Sequence, residues 1–409
     1  MPDHYDALET RDPEARESAL IAALPRQVEH AKKHAPAYAR LLKDVDPREV
    51  VSRKRLAHLP VTRKSELKEL QSATPPFGGL NATAPGKLAR LFISPGPIND
   101  PEGRREDYWR MARPLFASGF RAGDIIHNCF SYHFTPAGSM VEGGALKLGC
   151  AVIPAGIGQT EMQVQAIASL KPNGYVGTPS FLKIIVEKAL ETGADISSLK
   201  KAMVSGEALP PSLRTWLNER GIRTLQTYAS ADLGNIAYET ETMEGLILDE
   251  EIILEIVRPG TGDPVAEGEV GEVVVTTFNP DYPLIRFATG DLSAILPGRS
   301  PCGRTNTRIR GWMGRADQTT KVRGMFVHPS QIADVIKRHR EIAKARLVVD
   351  SVDGQDRMTL RCDAAPGANV AAIVESIRDV TKLRGEVELV AAGSLPNDGK
   401  VIEDIRKYD

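Results

Sequence analysis

Cysteine is scarce in this chain. Cys129, Cys150, Cys302 and Cys362 stand far apart, with no pair at metal-ligand spacing. That leaves buried or idle reduced thiols rather than a disulfide scaffold or a zinc site. The 8 histidines suggest no metal cluster, and no protein-bound transition metal is expected. An excess of charge is missing too: 52 Lys and Arg against 53 Asp and Glu give a net charge of −1. A surface so balanced argues against nucleic acid as a main partner. No apolar run approaches the ~20 residues that span a bilayer. The start, Met1 to Asp6, is acidic and lacks the apolar core of a signal peptide. A soluble cytoplasmic protein with no membrane partner is the expectation. Internal repeats and low-complexity tracts are absent as well.

What is present is an alternation. A length of 409 residues exceeds one typical domain. The apolar strands Ala151–Pro154, Gly174–Gly177 and Lys201–Val204 alternate with helical stretches at Met162–Leu170, Phe181–Thr192 and Pro211–Arg220. Such alternation needs crossover connections and predicts an α/β fold with a mainly parallel sheet. Upstream, Pro13 to Leu42 reads as helix, kinked or divided at Pro25. Thr62 followed by Ser65-Glu66 reads as a helix start, and another helix is expected over Asp107–Arg113. From Ile247 to Thr277 the pattern turns to short strands and turns, an antiparallel β-rich lobe. Beyond Asp317, strands at Thr319–Val322, Ala345–Val349, Met358–Cys362 and Val387–Leu389 alternate with helices at Pro329–Lys337 and Ala368–Leu383. That suffices for a small α+β domain with its own core.

One stretch carries the densest chemistry. Tyr282-Pro283-Leu284-Ile285-Arg286-Phe287-Ala288-Thr289-Gly290-Asp291 is an apolar strand ending in a tight turn that holds a carboxylate. Open α/β folds place ligand groups at such strand ends, and a carboxylate there can accept both hydroxyls of a ribose. Arg286 and Arg315, in the same region, suit bidentate contact with phosphate or carboxylate.

Together with Gly314-Arg315-Ala316-Asp317, Lys321-Val322-Arg323-Gly324 and the terminal Leu395-Pro396-Asn397-Asp398-Gly399-Lys400, this stretch resembles the adenylate-forming (AMP-binding) enzymes of the phenylacetate–CoA ligase type. The resemblance runs from about His34 to Lys400. It implies a large nucleotide- and acid-binding domain, residues 1–316, and a small mobile domain, residues 317–409, hinged at Asp317. It further implies that ATP activates an aryl or arylacetic acid as acyl-adenylate, and that coenzyme A then displaces AMP. Lys400 would be the catalytic lysine. Ser205, Gly206, Glu207 and Ala208 would form the adenine turn. Tyr228 would flank the base, with Ala229 and Ser230 approaching the phosphate. Asp232 would hold Mg²⁺, Asp291 the ribose, and Arg315 the phosphate or ribose. Tyr132, His133 and Phe134 would line the acyl pocket, core packing being the rival reading of that segment. A homodimer is plausible by family analogy.

The pattern departs from the resemblance at Ser94-Pro95-Gly96-Pro97-Ile98-Asn99-Asp100-Pro101. A strand before and a helix after make this the phosphate-loop position. Ser94 and Gly96 suit such a loop, but three prolines remove N–H donors and Asp100 falls where a lysine is expected. Two alternatives follow. One is a nucleotide- or acyl-binding relative that adenylates poorly; the other is an adenylating enzyme that loads a carrier-protein thiol.

Overall fold

The computed structural model describes residues 4–259, 261–316, 320–323, 325–327, 329–352, 355–365, 367–396, 398 and 400–406. A nine-stranded mixed sheet forms the body. Its parallel half runs in the order Ala151–Ile153, Ile125–Asn128, Gly174–Gly177, Lys201–Val204 and Arg223–Ser230. An antiparallel half continues it through Gly234–Glu239, Leu246–Leu248, Arg308–Ile309 and Ile295–Leu296. The parallel strands are short apolar runs because helices cover both faces.

Local signals explain those helices. Pro179–Thr192 starts behind Thr178, whose hydroxyl accepts the Phe181 amide at 3.4 Å, and stops at left-handed Gly193. It buries Leu182, Ile185, Val186 and Ala189, one stripe at helical spacing. Each such side chain contributes roughly 1.5–3 kcal/mol by leaving water.

Several boundaries differ from expectation. The first helix, Pro13–His34, continues undivided past Pro25 and ends two residues before Pro36. Leu24, Val28 and Ala31, all fully buried, anchor it across the proline, whereas Ala35 is held extended by the proline that follows it. Thr62 is not the helix cap. Thr62–Arg63 is an edge strand parallel to Phe287–Ala288, a 3-10 turn at Lys64–Glu66 follows, and the α-helix starts at Leu67. The stretch before Ala112 is a turn in which Asp107 accepts the Met111 and Ala112 amides at 2.7 and 3.0 Å.

The β-rich lobe also divides otherwise than expected. Leu246–Leu248 belongs to the large sheet, while Ile252–Val257 and Gly271–Thr277 join Phe287–Ser293 and Thr62–Arg63 in a second, four-stranded sheet. Toward the C-terminus, the antiparallel pair Ile342–Val352 and Gln355–Ala364 is flanked by parallel Glu386–Val390 and Ile402–Asp404. Helices Pro329–Arg338 and Val370–Thr381 pack with it. Ile332, Val335, Leu347, Leu360, Ile373 and Ile377 belong to a core drawn only from residues 322–402.

Candidate functional site

The site is assembled where the two N-terminal sheets meet. Strand Phe287–Ser293 does not end at Thr289-Gly290-Asp291 as the sequence suggested; it bulges there. Glu272 pairs with Leu292 and Val274 with Ala288, so Val273 alone opposes Thr289, Gly290 and Asp291. Such bulges re-aim side chains. Gly290 takes φ +78, and a Cβ on it would lie 2.8 Å from Nη2 of Arg315. The Thr289 hydroxyl donates to the Val273 carbonyl at 3.1 Å and accepts the Asp291 amide at 3.1 Å.

Three donors converge on the Asp291 carboxylate. The Tyr228 phenol donates to Oδ2 at 2.8 Å; the Trp312 indole and Nη1 of Arg315 each donate to Oδ1 at 3.1 Å. Burial, reinforced by the Asp291 charge, raises the Tyr228 pKa far above a free phenol's, so this hydroxyl stays a donor. These residues line a cavity of about 530 Å³ with Ser205, Gly206, Glu207, Ala208, Gln226 and Ala229. Ser205 and Ala208 follow strand Lys201–Val204, and Tyr228 lies near the end of Arg223–Ser230. Both are carboxyl ends of parallel strands, where α/β sheets bind ligands. Ser230 does not line the cavity; its hydroxyl accepts the Leu233 amide at 3.3 Å. Trp312, Arg310 and Gln226 were missed in the sequence. Only the tryptophan two residues ahead of Gly314 gave a signal.

Lys400 lies in a neighbouring cavity of about 320 Å³ with Gly314, Thr320 and Glu403, and Trp312 and Arg315 line both cavities. Its ammonium is 3.5 Å from Glu403. Asp317 and Gly324 fall outside the described residues.

The phosphate-loop segment is not a loop between strand and helix. Arg90–Ser94 and Ile98–Glu102 form an antiparallel hairpin, with Gly96 at its exposed tip. Proline-rich sequence at 95–97 makes a turn, and the residues after it pair as a strand. Ser94 is buried, its hydroxyl donating to the Ile98 carbonyl at 3.4 Å. Asp100 is 0% exposed. Burial, then the nearby Asp232, push its pKa up to about 8. Asp232 is itself buried and pairs with Lys64 at 2.5 Å. Burial opposes the Lys64 charge, but Asp232, with Asp100 and Asp291 behind it, raises its pKa. One oxygen of the Asp232 carboxylate, Oδ2, is thus taken by the Lys64 ammonium, while the other, Oδ1, is buried without a hydrogen-bond partner. Among the described residues no group of three His, Cys, Asp or Glu could hold a metal ion. One histidine pair had escaped notice: His30 and His34 stand one helical turn apart with ring centroids 4.9 Å apart, and His30 bonds the Pro280 carbonyl at 2.8 Å.

Two other expectations change. Arg286 does not face a ligand. It is 2% exposed, pairs with Glu255 at 3.0 Å and donates to the carbonyls of Ala57, Leu59 and Gly262. It is a core tie between the four-stranded sheet and the segment before Thr62. Nor do Tyr132, His133 and Phe134 make one pocket wall. The Tyr132 hydroxyl accepts from Asn128 at 2.8 Å, with its ring against Gly138. His133 and Phe134 stack edge to face in solvent, Phe134 65% exposed.

Residues 106–279 match the model of the family described as AMP-binding enzyme. The phenylacetate-coenzyme A ligase of Aromatoleum evansii is 30% identical over 90% of this chain and 86% of its own length. That of Escherichia coli strain K12 is 31% identical over 83% of this chain and 80% of its own. Among solved structures, 2-hydroxyisobutyryl-CoA ligase with 2-HIB-AMP and CoA in the thioesterification state superimposes with a TM-score of 0.73 at 25% identity, covering 98% of this chain and 92% of that one. The Asp291 cluster, the turn at Ser205–Ala208 and these matches lead to one placement: the chain belongs to the adenylate-forming enzymes, in the phenylacetate–CoA ligase-like family of acid–thiol ligases.

Proposed function

We propose that this protein is an ATP-dependent acid–CoA ligase. It activates an aryl or arylacetic acid as its acyl-adenylate and passes the acyl group to coenzyme A. The observation that carries the reading is the Asp291 carboxylate, held by Tyr228, Trp312 and Arg315 at the rim of the 530 Å³ cavity. Three donors fix its orientation in advance, so little freedom is lost when ribose hydroxyls arrive. Ser205 to Ala208, with Gly206 lacking a side chain, leave room for a flat base beside Tyr228.

In the first half-reaction a carboxylate oxygen bonds to the α-phosphorus, the bond to the β-phosphate bridge breaks, and pyrophosphate leaves with the electron pair. Charge builds on the phosphoryl oxygens, and preformed cations supply the stabilisation. Arg315 stands at the cavity wall for this, and Lys400 would reach the same oxygens by crossing from the adjoining cavity. In the second half-reaction the thiol sulfur bonds to the acyl carbon and AMP departs. Movement of residues 317–409 about Asp317 would withdraw Lys400 and let the thiol enter. Mg²⁺ would neutralise further phosphate charge, with the unpartnered Oδ1 of Asp232 as its candidate protein ligand.

The test is acid-dependent exchange of pyrophosphate into ATP across a panel of aromatic and aliphatic acids, followed by CoA-dependent release of AMP. Exchange with aryl acids and release with free CoA support the reading. Exchange without release points to a carrier-protein thiol, and no exchange with any acid sinks it.

A further inference from the structure

We infer that the nucleotide site recognises adenosine and the first phosphate only, leaving the β- and γ-phosphates without a protein grip; this rests on the adenylating function proposed above.

The hairpin Arg90–Glu102 occupies the position where the resemblance expects a phosphate loop. Phe92 from its first strand lies in the cluster against which Ala229 packs, and Ala229 lines the nucleotide cavity. Asp100 from its second strand faces Asp232 and Lys64, and Lys64 in turn feels Asp291. A polyphosphate tail leaving the ribose region would therefore run toward this hairpin. Proteins hold such tails with a run of unpaired backbone N–H groups and an excess of cations.

The hairpin offers little of either. Its strands pair along five register positions, Arg90–Glu102 to Ser94–Ile98, so alternate amides bond across it, and the outward Asn99 amide donates to Gln71 Oε1 at 2.8 Å. Pro95, Pro97 and Pro101 have no N–H to give. The edge is closed as well, because the Ile93 amide donates to the Phe134 carbonyl at 2.9 Å. Three flanking cations are each matched by a carboxylate, Lys64 by Asp232 at 2.5 Å, Arg63 by Glu272 at 2.9 Å and Arg90 by Glu102 at 2.8 Å, and Arg104 donates to the Lys87 and Leu88 carbonyls at 3.0 and 3.2 Å. Asp100 adds a buried carboxyl with no hydrogen-bond donor at bonding distance. With Asp100 protonated the Lys64 corner is neutral, and without its proton the corner is negative. Neither state attracts a tail.

Calorimetric titration of the whole protein with AMP, ADP, ATP and inorganic pyrophosphate, with and without Mg²⁺, tests this. AMP, ADP and ATP are expected to bind within about threefold of one another, and millimolar pyrophosphate should fail to displace AMP. ATP binding more than about tenfold tighter than AMP, or pyrophosphate competing with AMP, overturns the inference while leaving the adenylating function standing. Failure of all three nucleotides to bind overturns both.

Discussion

The phenol of Tyr228 donates to the carboxylate of Asp291 across 2.8 Å. That bond joins the large sheet to the bulge of the four-stranded one. It couples the aromatic proposed to flank the base to the acid proposed to hold the ribose, so disturbing either should be felt by the nucleotide.

Replacing Asp291 with Ala should weaken AMP binding by about 100-fold, the size expected for losing charged hydrogen bonds. Tyr228→Phe should cost about 3–10-fold, since one neutral donor is lost and the ring remains. Calorimetry with AMP measures both. An Asp291→Ala protein that binds AMP like the parent would remove the ribose role.

Trp312 offers an optical readout. Its indole donates to Asp291, and of the three tryptophans only it lines the nucleotide cavity. AMP should change the tryptophan emission of the parent and leave that of Trp312→Phe unchanged, with affinity reduced by no more than about tenfold. An undiminished signal in the variant would place the nucleotide elsewhere.

Lys400→Ala should slow adenylation by about 100-fold or more while ATP binding stays within about threefold, because the lysine is assigned to the transition state rather than the ground state. Equal losses in rate and affinity would count against that role.

Arg286→Ala should act on stability alone. The substitution leaves Glu255 buried without its partner and three carbonyls without a donor, a loss of about 3–5 kcal/mol. Denaturant unfolding should record that loss, and AMP affinity of the folded fraction should be unchanged.

Asp100 gives a pH signature. Burial first, and Asp232 second, raise its pKa from 3.8 to about 8, so the folded state holds a proton that the unfolded chain releases. Its contribution is fully present below the unfolded value and is lost as pH rises through about 8. Asp100→Asn should flatten the fall in stability between mildly acidic and mildly alkaline pH, and should raise stability at the alkaline end by roughly 1–3 kcal/mol. An unchanged pH slope would show that Asp100 already ionises freely.

The parallel strands and their helices were legible because short apolar runs, prolines at helix starts and glycines at helix ends act locally. Gly174–Gly177, Lys201–Val204 and Ile252–Val257 lie where the pattern put them. The hairpin at Arg90–Glu102 was not legible. Its second strand contains proline, asparagine and aspartate, poor strand formers that hold only because the first strand pairs with them and the Gln71 amide bonds the Asn99 backbone on the other side. Arg286 misled for a related reason: an arginine in a ligand-rich motif reads the same whether it faces phosphate or the core, and only the carbonyls of Ala57, Leu59 and Gly262 tell which.

By itself, then, the sequence determined the alternating fold, the ordered motifs at 282–291, 314–317 and 395–401, and the want of donors at 95–101, since each depends on residue type and near neighbours. Only the tertiary structure decided that Trp312 and Tyr228 share one carboxylate, that Lys64 claims Asp232, and that Lys400 lies in the cavity next to the one Asp291 lines. The bonded pairs Trp312–Asp291, Tyr228–Asp291 and Lys64–Asp232 stand 21, 63 and 168 positions apart in the chain, and no local pattern encodes the packing of two sheets that brings them together.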